Sequence, residues 1–372
     1  MAAGRKGSRT VQAAGSPVVL GPAALAALQA WTIAEARHVR HFILGDENTL
    51  RHCLPELQGH VPALREAHIM AVAPGERSKS VDVCHALWSH LAAEAADRQA
   101  VLIALGGGVV TDLAGFVAAT YKRGIPVVNV PTSLLGMVDA AIGGKNGIDL
   151  DGIKNVVGTI RQPVGTYVHV PFLRTLGKRE LMNGVAEMLK HGLVNDAKHW
   201  KAVCAAALHD LKALEPLVLR SAEIKAAIVD EDPQDADKRR LLNFGHTIGH
   251  AIEARSWESP QRGLLHGEAV AVGMVCEAWL SWRSELLARE ALDEITVVVR
   301  ERYRPHHLDP VDHHRILQLM ANDKKNADDR FRFTLLEAIG RGRINVEVTA
   351  AQVSAALDHY RLLMRDGPKE AV

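Results

Sequence analysis

The stretch QAVLIALGGGVVTDLAGFVAATYKRG, residues 99–124, joins an apolar run to a helical pattern through three glycines. The apolar run predicts a buried strand, and the pattern after the glycines predicts a helix. Glycines let the backbone approach a ligand closely, and a helix N-terminus favours phosphate. The spacing differs from G-x-G-x-x-G because Thr111 stands where the third glycine would fall. The turn could therefore bind phosphate or only join two elements, and Asp112 could serve a ligand or only the helix dipole.

Strand and helix patterns alternate on both sides of this turn. Further strands are predicted at RHFILGD (40–46), EAHIMAV (66–72) and IPVVNVPTS (125–133), and a helix at VDVCHALWSHLAAEAAD (81–97). Such alternation, with nearly unbroken apolar strands, indicates a parallel sheet that is covered on both faces. We therefore predict an α/β nucleotide-binding domain over residues 1–170.

Beyond residue 170 the strand signal mostly disappears. Long helical patterns follow in TLGKRELMNGVAEMLKHGLV (175–194), LEPLVLRSAEIKAAIVDED (214–232) and GEAVAVGMVCEAWLSWRSELL (267–287). We predict that residues 171–372 form an all-α domain.

Two histidines lie four residues apart in LNFGHTIGHAIE, residues 242–253, and a third follows at His266. His246 and His250 share one face of a predicted helix, so both can point into one pocket. The flanking residues are glycines and apolar side chains, among which an imidazole needs a partner. The chain has 19 histidines, however, so a chance pairing stays open on these residues alone.

Glu187 and Lys190 share a helix face in NGVAEMLKHGL, residues 183–193. Glu187 with two histidines would supply three nitrogen and oxygen ligands and leave an open position, as catalytic metal sites do. The same spacing is also common in surface ion pairs.

The glycine-rich segment VPTSLLGMVDAAIGGKNGIDLDGIKNVVG, residues 130–158, carries Lys145 and Lys154 in mostly apolar surroundings. A lone ammonium is costly there unless it meets an anion. With Asp139 and Asn155 close by in sequence, the two lysines suggest a phosphorylated, polyhydroxylated substrate. Solvated loop lysines are the alternative.

Composition narrows the class of protein. A length of 372 residues suits two domains or one large one, and a formal net charge of +1 gives no case for nucleic acid or a membrane surface. The four cysteines are scattered, which argues against a disulfide framework or a thiolate zinc site. No apolar run approaches a membrane span, and the first ten residues lack the apolar region of a signal peptide. We therefore expect a cytoplasmic protein.

Several motifs together resemble the 3-dehydroquinate synthase family of the sugar-phosphate cyclases. They are GGGVVTDLAGFVAATYKRG, PTSLL, VDAAIGGKNGID, KNVVG, GVAEMLKHG, LNFGHTIGHAIE and HGEAVAVGM. They occur in the family's order and spacing, from about Asp46 to the NDKKN segment near Lys324. The resemblance implies an N-terminal NAD-binding domain, a helical domain that binds Zn²⁺ or Co²⁺, and a homodimer.

The resemblance also assigns roles to single positions. The family's metal ligands fall on Glu187, His246 and His266. Its NAD contacts fall on Asp46, Asn48, Glu76, Lys79, Gly107, Gly108, Val109, Asp112, Thr132, Ser133, Lys154, Thr175 and Leu176. Catalytic positions match His250, Lys145, Asp139, Lys190 and Asp235. Substrate-binding positions match Arg123, Asn155, Lys225, Arg239, Asn243 and Lys324, where Arg123 is the arginine that this family lends to the neighbouring subunit's active site.

The implied reaction converts 3-deoxy-D-arabino-heptulosonate 7-phosphate to 3-dehydroquinate and phosphate. It proceeds by transient oxidation with NAD, phosphate elimination, re-reduction and an intramolecular aldol closure, without net redox change. The cluster of Lys145, Lys190, Lys225, Arg239 and His250 suits a ligand that carries both phosphate and carboxylate.

The chain departs from the family pattern at a few positions. The family commonly reads Asp-Ser-Ser where this chain has Asp139-Ala140-Ala141, and Gly-Lys-Thr where it has Gly144-Lys145-Asn146. An acidic position that is usually Glu reads Asp235. The loss of these hydroxyl groups removes possible hydrogen bonds near the substrate, and it therefore bears on which substrate the protein prefers.

Three alternatives stay open. Related cyclases of the valiolone or inosose type act on substrates without a carboxylate and tend to alter the positions matched by Arg239, Asn243 and His250. All three residues are present in this chain, which favours the dehydroquinate synthase reaction. A metal-dependent polyol dehydrogenase of the glycerol dehydrogenase type shares the architecture but has no need of the cationic cluster. A non-catalytic NAD-binding protein has no reason to keep a metal site.

Overall fold

A computed structural model describes residues 8–150, 153–258, 263–323 and 330–365 of the chain. It contains two compact units. The first unit comprises Met1–Leu181 and Ala207–Gln234, and the second comprises Met182–Ala206 and Asp235–Val372. The predicted division into domains at residue 170 stays a prediction, and the compact units are not continuous in sequence because Ala207–Gln234 belongs with the first.

The strands and helices follow in chain order. The strands are β1 (Arg9–Ala13), β2 (Ser16–Leu20), β3 (His41–Asp46), β4 (His68–Val72), β5 (Val101–Gly106), β6 (Val127–Pro131), β7 (Lys145–Leu150), β8 (Ile153–Ile160), β9 (Gly165–Val168), β10 (Arg330–Ala338) and β11 (Arg341–Thr349). The helices are α1 (Ala24–Glu35), α2 (Glu47–His52), α3 (Leu54–His60), α4 (Val81–Ala93), α5 (Gly108–Thr120), α6 (Lys178–Asn195), α7 (Ala197–Ala205), α8 (Leu211–Glu231), α9 (His246–Trp257), α10 (His266–Arg283), α11 (Arg289–Arg302), α12 (Asp312–Asp323) and α13 (Ala350–Arg365).

A seven-stranded sheet organises the first unit, in the order β1-β2-β9-β6-β5-β3-β4. Every neighbouring pair is parallel except β1 and β2, which form an antiparallel hairpin at one edge. All six residues of the interior strand β5 are buried. Leu102 and Ala104 pack in the core with α4 and α5, while Ile103 and Leu105, on the opposite face of the strand, are buried as well. The sheet is therefore covered on both faces, as its apolar strands predict.

The four predicted strands in this unit correspond to β3, β4, β5 and β6, and the predicted helix at 81–97 corresponds to α4. The helical pattern DLAGFVAATYKRG predicts a helix over residues 112–124, and α5 begins earlier, at Gly108, directly after the extended Gly107 (φ −75°, ψ −169°). The hairpin β7–β8, within the glycine-rich segment, was not predicted. Its strands pair in antiparallel register from Lys145 opposite Ile160 to Leu150 opposite Ile153.

The second unit is mainly helical, and its helices α9 and α10 approach closely at glycines. A Cβ added to Gly273 would lie 2.0 Å from the Gly245 carbonyl oxygen, and one added to Gly249 would lie 3.1 Å from Val270 Cα. Gly245 also has a φ of 78°, a conformation that costs a residue with a side chain about 1 kcal/mol or more. Glycine at these positions lets the two helices pack backbone to backbone.

The expectation of an all-α second half needs one correction. Strands β10 and β11 form an antiparallel hairpin in this unit, joined at Gly340, which has a φ of 90°. The sequence carries the signal for a strand, because Phe331 and Phe333 are buried and alternate with Arg330 and Arg332. The amide of Gly340 donates to the Leu193 carbonyl at 2.8 Å and ties the hairpin to α6.

The described residues contain no helix with the length and apolar character that a membrane crossing requires. All four cysteines are free, in line with the absence of a disulfide framework.

Candidate active site

The turn after β5 and the neighbouring strand ends form one edge of the sheet in the first unit. Strands β3, β5 and β6 are parallel neighbours, so their carboxyl ends meet there. The edge carries the predicted cofactor positions Asp46, Asn48, Gly107, Gly108, Val109, Thr132 and Ser133. The amide of Thr132 donates to the Gly106 carbonyl at 3.0 Å.

Two of the three glycines of the turn are also closely packed. A Cβ on Gly107 would lie 3.0 Å from Ser133 Oγ, and one on Gly108 would lie 3.1 Å from Ala140 Cβ. Asp46 has a local role too, because its carboxylate accepts hydrogen bonds from the Asn48 and Thr49 amides and caps α2. The geometry of this edge is therefore compatible with ligand binding, with a structural role, or with both.

A network of charges surrounds the buried Lys79. Its ammonium lies 2.9 Å from Asp112 Oδ2 and 3.6 Å from Glu76 Oε1, and it donates to the side-chain oxygen of Asn155. Lys154 Nζ lies 3.8 Å from the same Glu76 oxygen. The structure thus brings together five predicted positions that lie far apart in sequence.

The ionisation of this network follows from burial and charge. Burial would lower the pKa of Lys79, but Asp112 and Glu76 outweigh it, so that pKa is raised. Burial raises the pKa of Asp112 to about 6, since Lys79 offsets only part of the effect. At neutral pH the pair is therefore a charged one.

Asp139 lies in a single π-helical turn, Gly136–Ala140. Its Oδ1 is 2.7 Å from the ammonium of Lys225 on α8, so two predicted substrate positions are in direct contact. Such turns are frequent at functional sites. The carbonyl of Ala141, next in the chain, accepts hydrogen bonds from Asn129 and Thr166.

The departure at Asn146 has a structural explanation. Its amide donates to the carbonyls of Gly144, at 2.9 Å, and Arg161, at 3.1 Å, across the open end of the β7–β8 hairpin. The neighbouring Lys145 is exposed at the start of β7. Asn146 therefore holds the segment that presents Lys145, which a shorter hydroxyl side chain could not do in the same way.

Other predicted positions of the first unit lie in turns. Arg123 is exposed and has a φ of 66°, next to Lys122 with a φ of 48°. Left-handed residues other than glycine are strained and are often found at functional sites. Thr175 and Leu176 end the 3₁₀ turn that follows β9.

Glu187 lies between two imidazoles in the second unit. It is on α6 with no solvent exposure, while His246 and His266 are the first residues of α9 and α10. Glu187 Oε1 is 3.4 Å from His246 Nε2 and 3.6 Å from His266 Nε2. The ammonium of Lys190, itself buried, contacts the other oxygen of the same carboxylate.

The same place holds a third imidazole. One nitrogen of each of His246, His250 and His266 lies within 4.8 Å of the others, and His250 is the exposed member. Two neutral imidazoles with either a carboxylate or a third imidazole form the nitrogen and oxygen donor set that Zn²⁺ takes in catalytic sites. The residues therefore fit a divalent transition metal, with Glu187 and His250 as alternatives for the third ligand.

The pKa values of the two histidines beside Glu187 are shifted in opposite directions. Burial, followed by the charge of Lys190, lowers the pKa of His246 well below its ordinary value, which keeps its lone pair available. Burial alone would also lower the pKa of His266, but hydrogen bonds with Glu187 and Glu253 outweigh it and raise that pKa to about 10. A cation that binds His266 must therefore displace a proton.

Three further polar groups around these histidines were not predicted. Glu253 Oε2 is 3.1 Å from His266 Nδ1. The buried carboxylate of Glu277 accepts from the amides of Gly245, at 2.6 Å, and Ile248, at 3.0 Å, at the start of α9. Asn183 Oδ1 accepts from the Gly267 amide at 2.6 Å, at the start of α10. Acidic residues inside otherwise apolar helices were the signal that could have identified Glu253 and Glu277.

The remaining predicted positions precede α9. Arg239 is buried and Asn243 half-buried, both in the 3₁₀ turn Lys238–Asn243, and Asp235 has a φ of 57°. Lys324 lies outside the described residues.

A separate group in the first unit comprises Glu56, His60 and His169. His169 Nε2 is 2.9 Å from Glu56 Oε1, and an Arg174 nitrogen is 3.9 Å from the same oxygen. The hydrogen bond with His169 and the nearby charge of Arg174 account for the position of Glu56 without a ligand.

Comparison with known proteins identifies relatives along most of the chain. Residues 69–183 match the family model "3-dehydroquinate synthase N-terminal", and residues 184–326 match "3-dehydroquinate synthase C-terminal". The 3-dehydroquinate synthase of Parabacteroides distasonis is 39% identical over 331 residues, which cover 88% of this chain and 93% of that protein. The enzyme of the same name from Symbiobacterium thermophilum is 42% identical over 279 residues, 71% of this chain and 75% of that one.

The fold of this chain is similar to that of several solved structures. A 2-epi-5-epi-valiolone synthase from Streptomyces hygroscopicus with bound NAD⁺ and Zn²⁺ is 27% identical, with a TM-score of 0.80 over 95% of this chain and 98% of that one. A 2-deoxy-scyllo-inosose synthase complexed with carbaglucose-6-phosphate, NAD⁺ and Co²⁺ is 22% identical, with a TM-score of 0.83 over 95% and 99%. A probable glycerol dehydrogenase from Sinorhizobium meliloti is 14% identical, with a TM-score of 0.57 over 92% and 95%. At 22% and 14% identity, the inosose synthase and the probable glycerol dehydrogenase are similar to this chain in fold alone.

Proposed function

The chain belongs to the 3-dehydroquinate synthase family, and we propose that it converts 3-deoxy-D-arabino-heptulosonate 7-phosphate to 3-dehydroquinate and phosphate. The observation that carries this proposal is the buried Glu187 carboxylate between His246 and His266. Buried carboxylates and imidazoles are costly unless they are paired or coordinate a metal, and a metal would bring these three side chains together. Such a site is expected for a metal-dependent cyclase and not for a bare NAD-binding protein.

In this proposal Glu187, His246 and His266 hold Zn²⁺ or Co²⁺. When bound, the cation would supply Lewis acidity toward a substrate hydroxyl. Lys190 contacts the second oxygen of the Glu187 carboxylate and places a positive charge beside it. His250 is the exposed imidazole beside the two ligands, and in this proposal it faces the substrate and gives or takes a proton.

The first unit would hold NAD at the carboxyl edge of its sheet. The cofactor would supply a hydride acceptor that is regenerated within each turnover. The amides at the start of α5 favour a pyrophosphate, since they are unpaired within the helix and lie at its positive end. Lys79 and Asp112 form a fixed ion pair that orders the neighbouring Glu76, Lys154 and Asn155.

Recognition of substrate would fall to cationic side chains. Arg239 is buried and presents a planar fork suited to a carboxylate or phosphate. Lys145 is exposed at the start of the β7–β8 hairpin, and Lys225 Nζ lies 2.7 Å from Asp139 Oδ1. Such a set matches a sugar acid phosphate better than an uncharged polyol.

We retain two finer expectations as part of the proposal. One is a homodimer in which Arg123 reaches the neighbouring active site; its support is the strained, exposed turn that presents this arginine. The other is a cytoplasmic location, supported by the unpaired cysteines.

One assay tests the proposed reaction. The protein is incubated with the heptulosonate phosphate, Zn²⁺ and substoichiometric NAD⁺, and phosphate and NADH are followed together. We expect many phosphates released per NAD⁺ and no steady accumulation of NADH. Net NADH equal to product would instead indicate a dehydrogenase.

A second candidate is the cyclisation of sedoheptulose 7-phosphate. The observation in its favour is the loss of two hydroxyls at Ala140 and Ala141 beside Asp139. The same assay with this substrate decides between the two, because a preference for the neutral sugar phosphate would contradict the first proposal.

A further inference from the structure

Glu253 and Glu187 approach the two ring nitrogens of His266 from opposite sides. Glu253 Oε2 is 3.1 Å from Nδ1, and Glu187 Oε1 is 3.6 Å from Nε2. Glu253 lies on α9, while His266 opens α10, so the contact joins two helices. Only about 4% of Glu253 is exposed, so this carboxylate is held in place among packed residues.

The contact has a defined consequence for the imidazole. A neutral imidazole carries one N–H and one lone pair, on different nitrogens. When Nδ1 donates its proton to Glu253, the lone pair is on Nε2 and faces Glu187. Glu253 therefore selects the tautomer and the ring orientation that a cation beside Glu187 requires.

His246 provides an internal comparison. Its Nδ1 is 3.1 Å from the backbone carbonyl oxygen of Phe244. An uncharged group therefore selects the tautomer of His246. His266 instead has a carboxylate, which adds negative charge next to the proposed cation. That charge matters because both histidines are the first residues of helices, and the positive end of a helix dipole disfavours a cation.

We propose that Glu253 is a positioning residue of the metal site, which orients His266 and increases its affinity for the cation through the Nδ1 hydrogen bond and its charge. This inference rests on the proposed metal site. Glu253 does not itself contact the cation.

The test measures metal affinity in the full-length protein, without substrate. Wild type, Glu253→Gln, Glu253→Ala and Glu258→Gln are freed of metal and titrated with Zn²⁺ against a chromophoric chelator. Glu258 is the matched control, because it ends the same helix, carries the same charge and pairs with Arg315 on the surface. Thermal unfolding of each metal-free protein is recorded in parallel.

We expect Glu253→Ala to weaken Zn²⁺ binding by roughly 10–100-fold, as loss of an outer hydrogen-bond partner of a ligand typically does. Glu253→Gln keeps an acceptor oxygen but not the charge, so its affinity should lie between Ala and wild type. The Co²⁺-substituted Gln variant should show an altered visible spectrum. Glu258→Gln should bind as wild type does.

Two results would overturn the inference in distinguishable ways. If wild type binds Zn²⁺ but both Glu253 variants match it, Glu253 has no positioning role, even if the metal-free Ala variant melts earlier. If wild type itself binds no Zn²⁺, the proposed metal site fails and the inference fails with it.

Discussion

Glu187 is a single residue whose buried carboxylate needs partners in the second unit. Its carboxylate is fully buried, contacts the ammonium of Lys190 and lies within 3.6 Å of two imidazole nitrogens. Removing one partner of a buried charged pair typically costs about 3–5 kcal/mol, because the other charge is left without compensation. Substitutions at this site must therefore be compared with the stability of each variant before a loss of activity is assigned to chemistry.

The choice between Glu187 and His250 as third ligand can be tested by substitution. We expect His246→Ala to lose tightly bound metal and turnover together, because three ligands leave no redundancy. His250→Ala should keep its metal and lose turnover, since we place His250 toward substrate. Metal analysis of the purified proteins and the phosphate-release assay are the measurements. Loss of metal from His250→Ala would make the three histidines the ligand set.

Arg239 should determine recognition of an anionic group of the substrate. Loss of a buried, charge-assisted contact costs about 2–5 kcal/mol, so Arg239→Ala should lower kcat/KM by roughly two to three orders of magnitude. Affinity for NAD⁺ should barely change. The neighbouring Arg240 in the same turn is the control, because it is half-exposed and donates to the side-chain oxygen of Asn345 on β11. An equal loss in Arg240→Ala would mean that the effect comes from disruption of the turn.

At the scale of elements, helices α9 and α10 carry the proposed metal ligands at their first residues. Three sets of contacts hold these helices in their orientation. The helices approach closely at Gly245, Gly249 and Gly273. Glu277 accepts from the amides at the start of α9, and Asn183 accepts from an amide at the start of α10. A shift of one helix along the other would displace His246 from His266. The packing of these two helices is thus a condition for the site.

Gly273→Ala should destabilise the second unit. The added Cβ would lie 2.0 Å from the Gly245 carbonyl oxygen, and overpacking of this kind costs about 1–3 kcal/mol. Gly59→Ala is the matched control, because a Cβ there meets nothing within 4 Å and alanine favours the helix by about 0.5–1 kcal/mol. Thermal unfolding should therefore shift down for the first variant and not for the second. A Gly273→Ala protein as stable as wild type would show that the helices can separate without penalty.

At the scale of the whole molecule, the two units carry different parts of the proposed chemistry. The first unit bears the predicted NAD positions on a parallel sheet, together with Asp139, Lys145 and Lys225. The second bears the proposed metal ligands with Lys190, Arg239 and His250. Arg123 belongs to the first unit and is expected to act on a second copy of the chain.

That expectation predicts complementation between inactive variants. Arg123→Ala and His250→Ala should each be inactive alone. After mixing under conditions that exchange subunits, random pairing in a two-fold dimer should restore roughly a quarter of the wild-type rate, because each mixed dimer contains one intact site. Phosphate release before and after exchange measures the recovery. Absence of recovery, with exchange verified by mass, would place Arg123 in its own subunit's site.

Much of the first unit could be predicted from the sequence because its signals are local. The apolar run from Val101 to Gly106 must be a buried strand, the glycines after it permit a turn into α5, and the alternation of such patterns requires a parallel sheet. The motifs around Glu187, His246 and His266 were equally visible, because residue type and spacing along a helix are properties of short segments.

Other features depended on contacts between distant segments, which no local pattern encodes. Only the folded chain brings Glu187 on α6 against His246 on α9 and His266 on α10, sets Glu253 behind His266, and ties Lys225 on α8 to Asp139. The same holds for Ala207–Gln234, which has the sequence of the helical half but belongs to the first unit. The sequence by itself indicated the strands and helices around the glycine turn and the residues that are expected to carry the chemistry, but not the hairpins β7–β8 and β10–β11. The tertiary structure alone decided which distant residues meet, because a buried carboxylate or ammonium needs partners and several of those partners come from other segments of the chain.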